Sequence, residues 1–67
     1  MSVAKTIEIT AGSPKSFEDA IKEGIRTASK SLNHITGAWV QDQEVIVSKN
    51  KVTEYKVRMR VTFVLKG

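Results

Sequence analysis

The run from Val52 to Leu65 constrains this chain most. Tyr55, Val57, Met59, Val61, Phe63 and Leu65 alternate with Glu54, Lys56, Arg58, Arg60 and Thr62, and only Val64 breaks the pattern. Alternation at period two marks a β-strand with one buried face. A helix through these residues would scatter the apolar set around its circumference, and the β-branched and aromatic enrichment also favours strand. Strands usually run about five or six residues. A strand this long belongs to a sheet that extends beyond what one small chain can cover.

The chain has 67 residues, so a single domain over residues 1–67 is expected. A core of that size is marginal alone, and small domains usually add disulfides, a metal or oligomerisation. There is no cysteine and one histidine, His34, which leaves oligomerisation as the favoured supplement. The lack of cysteine fits a reducing cytoplasm. Met1-Ser2-Val3-Ala4-Lys5 carries no apolar stretch, and no run approaches the roughly 20 apolar residues of a membrane span. A cytoplasmic protein without signal peptide or membrane contact is therefore expected. Eleven Lys and Arg against seven Asp and Glu give a net charge of +4, which favours an anionic partner, either nucleic acid or a phosphorylated small molecule.

Ala4 to Thr10 reads as a first strand, with Lys5, Ile7 and Ile9 opposite Thr6, Glu8 and Thr10. Ser13-Pro14 offers a helix start, and Ser16 with Asp19 offers a competing cap one turn later. Phe17, Ala20, Ile21, Ile25, Ala28 and Leu32, with Gly24 among them, form an apolar helical stripe. The opposite face carries Glu18, Lys22, Glu23, Arg26 and Lys30, with Glu18 to Lys22 and Glu23 or Arg26 to Lys30 expected at helical neighbour spacing. Gly24 costs about 1 kcal/mol against alanine in a helix, so its place on the stripe points to close approach by a strand or a neighbouring helix, with simple tolerance as the alternative. The helix is expected to run about five turns, fraying near Leu32 to His34 with Thr36-Gly37 as its stop. Ala38 to Ser48 reads as a second strand, with Trp39, Gln41, Gln43, Val45 and Val47 on one face and Val40, Asp42, Glu44 and Ile46 on the other, and the imperfect pattern predicts either a bulge or a polar segment facing solvent. Ser48-Lys49-Asn50-Lys51 is a hairpin connection. The order is strand, helix, strand, strand, an α+β fold with more sheet than one helix covers.

No catalytic constellation assembles, because there is no thiol and a single imidazole. His34 reads as a helix-end or solvated side chain. Asp42 and Glu44 share a strand face, but two carboxylates alone do not make a metal site. Trp39, beside the small residues Gly37 and Ala38, has the form of an aromatic platform for a flat heterocycle, or else fills core or interface. Lys56, Arg58 and Arg60 form a basic stripe. Nucleic-acid binding through it would want interleaved aromatics, and Tyr55 points to the other face, so pairing with Asp42 and Glu44 explains the stripe as well.

Taken together the sequence resembles a dodecin over nearly its whole length. The resemblance rests on Gly12-Ser13-Pro14-Lys15-Ser16-Phe17 at the helix entry, on Ala28-Ser29-Lys30-Ser31-Leu32 at its close, and above all on Glu54 to Leu65, similar to the family's closing strand of Tyr-Gln-Val, alternating apolar residues and Phe-x-Leu. It implies a β-α-β-β subunit, a three-stranded antiparallel sheet wrapped around one helix, assembled into a hollow homo-oligomer, a dodecamer in the family. It also implies a non-catalytic role in storing or buffering a flavin such as riboflavin, FMN or lumichrome. In the family a tryptophan shortly after the helix stacks on the flavin; a gapless register puts Gly37 at that place and Trp39 two residues later. The family's ring-binding glutamine falls on Lys56, whose ammonium only donates. Trp39 as stacking surface, Lys56 as polar contact and Gly37 beside them are the implied site. The rival readings are a shell of the same architecture whose site is lost or changed to another small anionic ligand, and a nucleic-acid binder using the basic stripe.

Overall fold

The computed structural model describes residues 3–65; Met1, Ser2, Lys66 and Gly67, and the sequence readings that touch them, lie outside the described residues. Strand β1 (Val3–Ser13) is followed by helix α1 (Phe17–Ala28), strand β2 (Ile35–Ser48) and strand β3 (Lys51–Leu65). They form one antiparallel sheet in the order β1-β3-β2. The alternating strand is thus central. The expected α+β order and three-stranded antiparallel sheet are both present.

β1 is longer than its alternation suggested because β3 offers it a partner throughout, from Val3↔Leu65 to Ser13↔Tyr55. Ser13 therefore ends a strand and does not start the helix. The competing cap prevails: Ser16 Oγ accepts the Asp19 amide at 3.0 Å. Ser13 is buried and self-contained, its hydroxyl donating to Asp19 Oδ2 at 2.6 Å and accepting from the Lys15 amide at 2.9 Å.

The far end of α1 also departs from expectation. The helix stops at Ala28, about three turns instead of five, and Thr36-Gly37 lies inside β2. Ser29 begins the exit by bonding its hydroxyl to the Arg26 carbonyl at 2.7 Å, a local alternative to continued helix. Lys30 and Ser31 then bond three residues back, to Thr27 and Ala28, tightening the last turn. Glu18 meets Lys22 at 2.9 Å as spacing predicted, and Glu23 meets Arg26, three residues on, in place of the expected contact with Lys30, which lies seven residues away and beyond the helix. His34 is exposed, past the helix end, with a left-handed backbone (φ 63°), so it does not sit at the helix dipole.

The core lies between α1 and the facing side of β1 and β3. Ala20, Val57, Met59 and Val61 are fully buried, with Ile7, Ile9, Phe17, Ile21 and Ile25 packed around them. Gly24 is where the helix sits down: a Cβ there would stand 2.5 Å from Met59 Cε and 2.9 Å from Ala11 Cβ. The close approach predicted for Gly24 is thus made by both strands at once.

The sheet outruns its helix. Fifteen residues of β3 span roughly 50 Å, whereas twelve helical residues span about 18 Å. The long axis is 51 Å, and the radius of gyration of 13.7 Å exceeds the roughly 11 Å of a compact chain of this length. Val45, Val47 and Val52 near the hairpin stay exposed. That hairpin turns through Lys49 and Asn50, both left-handed (φ 53° and 65°), as a two-residue connection requires.

Candidate functional site

The register between β2 and β3 slips at Thr36 and again at Gln41, since Ile35↔Phe63 is followed by Gly37↔Thr62, and Val40↔Met59 by Asp42↔Arg58. Each slip is an extra residue on β2, the bulge that the imperfect pattern predicted. Residues paired across antiparallel strands share a face. Trp39 pairs with Arg60, so it projects from the face of the sheet opposite α1, together with Gly37, Asp42, Glu44 and the basic stripe. The expected grouping of Trp39 with Gln41, Gln43, Val45 and Val47 is incorrect, because the bulge at Gln41 reverses the alternation within the strand; Gln43 and Val45 pair with Val57 and Tyr55 on the helix side.

Trp39 is 67% exposed, and open space surrounds the position of a Cβ on Gly37. The indole is not used in the subunit's own core. The aromatic contact in the subunit is elsewhere: Phe17 and Tyr55 meet edge to face at 5.1 Å on the helix side.

The basic stripe divides in three. Arg58 is held by β2: its Nε donates to Asp42 Oδ1 at 2.6 Å and a terminal nitrogen to Glu44 Oε1 at 3.0 Å. The hydrogen bond to Glu44 and the charge of Asp42 raise this guanidinium above its ordinary range. Lys56 stands opposite Glu44 in the register and opposite Gly12 on β1. Glu54 lies over Gly12, where any Cβ would run into its carboxylate. Arg60 is exposed, between Trp39 on β2 and Glu8 on β1, and takes part in none of the ion pairs among the described residues.

The three residues implied by the resemblance are brought to one face but not to one point. Gly37 and Trp39 adjoin, whereas Lys56 is four residues from Arg60 along β3, about 13 Å from the indole's row. Sequence reasoning missed Arg60, which it counted within the stripe; only the cross-strand register sets it beside Trp39. A groove of about 800 Å³ between β1 and α1, lined by Ile9, Lys15, Asp19, Glu23 and Gly24, includes none of these residues and no aromatic side chain.

The family model for Dodecin matches residues 3–66. The chain belongs to the dodecin family. It is 39% identical over 64 residues to calcium dodecin of Mycobacterium tuberculosis, covering 94% of this chain and 89% of that protein. The crystal structure of that relative, described as calcium chelating, superposes with a TM-score of 0.84 at 32% identity, over 97% of this chain and 93% of that one. An arginine-to-alanine variant of Thermus thermophilus dodecin matches with a TM-score of 0.95 at 28% identity over the whole of both chains. Dodecins are small binding proteins that form homo-oligomers. No helix among the described residues is long and apolar enough to cross a membrane.

Proposed function

We propose that this dodecin is a non-catalytic, homo-oligomeric flavin-binding protein, with Trp39 as the stacking surface, Lys56 as a polar contact and Gly37 as the gap that keeps the indole accessible. The supporting observation is Trp39 itself: a large aromatic side chain, two-thirds exposed, paired with Arg60 between two bulges and facing away from the subunit's core. Exposing an indole forgoes the burial that dominates folding, so Trp39 is kept for a contact outside the subunit, which this reading makes a ligand's. The separation of Trp39 from Lys56 bears on assembly as well. A single ring system touching both has to lie where two copies meet, which agrees with a sheet too long for its own helix.

Calcium, named for the Mycobacterium tuberculosis relative, finds less support in these residues. Calcium takes six to eight oxygen ligands, and the two carboxylates that stand together, Asp42 and Glu44, are both held by Arg58. Among the described residues no three His, Asp or Glu side chains converge within the subunit.

Titration with riboflavin, FMN and lumichrome tests the proposal. Flavin fluorescence and the emission of Trp39, the sole tryptophan, are expected to be quenched together. Trp39→Ala is expected to weaken binding about tenfold to a hundredfold, the scale of a lost aromatic stack. Absence of quenching by all three removes the flavin reading and leaves an oligomeric shell with a different ligand or none; a thermal shift with calcium and no flavin would favour the metal.

A further inference from the structure

We infer that Arg60 is the anion-recognising residue of the Trp39 platform, so that this chain binds a planar ligand carrying a phosphate more tightly than the same ring without one. The inference rests on the flavin reading above and adds to it a specificity-determining residue and a ligand class.

The register supplies the placement. Trp39 and Arg60 are cross-strand partners, so their side chains leave the same face from Cα atoms about 5 Å apart. A ring laid on the indole has the guanidinium at its rim. No other cation is placed this way: Arg58 pairs with Asp42, one register step beyond the bulge, and Lys56 is two residues further along β3.

Charge accounting then separates the three members of the stripe. Arg58 donates to two carboxylates at once and has little left to offer an incoming anion. Lys56 faces Glu44 without forming an ion pair with it and is set apart by position, about 13 Å from the indole's row. Arg60 has one acidic neighbour facing it from β1, Glu8, and the two form no ion pair. Its planar fork of donors therefore remains free in solvent, and that fork matches a phosphate through two parallel hydrogen bonds in a way an ammonium does not. Thr6, Thr10 and Thr62 beside it on the face are uncharged, and the next carboxylate along β2, Asp42, is neutralised by Arg58.

The ratio of riboflavin to FMN dissociation constants reads the inference, measured by flavin fluorescence on the intact oligomer at fixed moderate salt. The two ligands share the ring, so the ratio isolates the phosphate. FMN is expected to bind about tenfold more tightly than riboflavin, the scale of one charge-assisted contact. Arg60→Gln is expected to bring the ratio close to one, the loss falling more heavily on FMN than on riboflavin, and Glu8→Gln to widen it by removing the competing carboxylate. Arg26→Gln, which removes the same charge from the solvent face of α1, controls for long-range electrostatics and is expected to leave the ratio alone. Equal affinity for the two flavins in the parent protein, or an equal loss in Arg60→Gln and Arg26→Gln, overturns the role of Arg60 while the flavin reading stands. Binding of neither flavin overturns both.

Discussion

β1 runs beside β3 in one unbroken register of eleven pairs, whereas β2 runs along the other edge of the same strand in a register that shifts three times. The two flanking strands have similar lengths and opposite uses. β1 alternates cleanly, sending Ile7, Ile9 and Ala11 under the helix. Along β2 nearly every residue is exposed, and only Ile35 reaches the core. Helix α1 packs on β1 and β3 and leaves most of β2 without cover. A strand that serves the core must keep its alternation, because a one-residue slip moves every side chain to the wrong face. A strand outside the core is free to bulge, and here bulges at Thr36 and Gln41 bracket the stretch whose pairing with β3 holds the one tryptophan outward.

The largest effect expected to test that contrast is truncation inside the β1–β3 core. Met59→Ala is expected to cost about 2–5 kcal/mol in urea unfolding. Val47→Ala on β2 is expected to cost under about 0.5 kcal/mol to the subunit itself. A larger loss at Val47 that grows with protein concentration measures burial by a neighbouring copy. A large loss independent of concentration breaks the contrast. Gly24→Ala comes next. The gain of about 1 kcal/mol in helix propensity opposes an overpacking cost of about 1–3 kcal/mol where Met59 Cε and Ala11 Cβ meet the new methyl. A net loss near 1 kcal/mol is expected, and a net gain would mean that the helix lifts off β1 without penalty. The smallest effect comes from deleting Gln41. Removing the unpaired residue leaves Val40 opposite Met59 and Trp39 opposite Arg60, so the indole is expected to stay on the outward face, with its emission maximum and flavin quenching kept at little cost in unfolding midpoint. A shift of the emission maximum to shorter wavelength would mean that the deletion moves Trp39 off its register with Arg60.

The parts of the site differ in how well they can be read from the chain. Trp39 is conspicuous as the sole tryptophan beside two small residues, and the charges of Asp42 and Glu44 opposite Arg58 follow from placing two strands in a hairpin. Arg60 is not legible, since Arg58 and Arg60 occupy equivalent places in the alternation and only the partner strand distinguishes them. At the helix, two serine caps were available one turn apart. The strand length of β3 settled the choice by drawing Ser13 into the sheet, a long-range pairing that outweighs a local preference. The early exit at Ser29 is likewise a competition between hydroxyl and backbone that composition does not weigh.

The sequence by itself determined the order of elements, the buried face of β3 and the need for more cover than one helix provides, because all three follow from the spacing of apolar side chains along a local repeat. Only the tertiary structure decided where β2 bulges, which face Trp39 takes and which arginine stands free beside it. Those outcomes depend on the phase between two strands, and a residue's phase relative to its partner is set by every pair formed before it, not by its own neighbours in the chain.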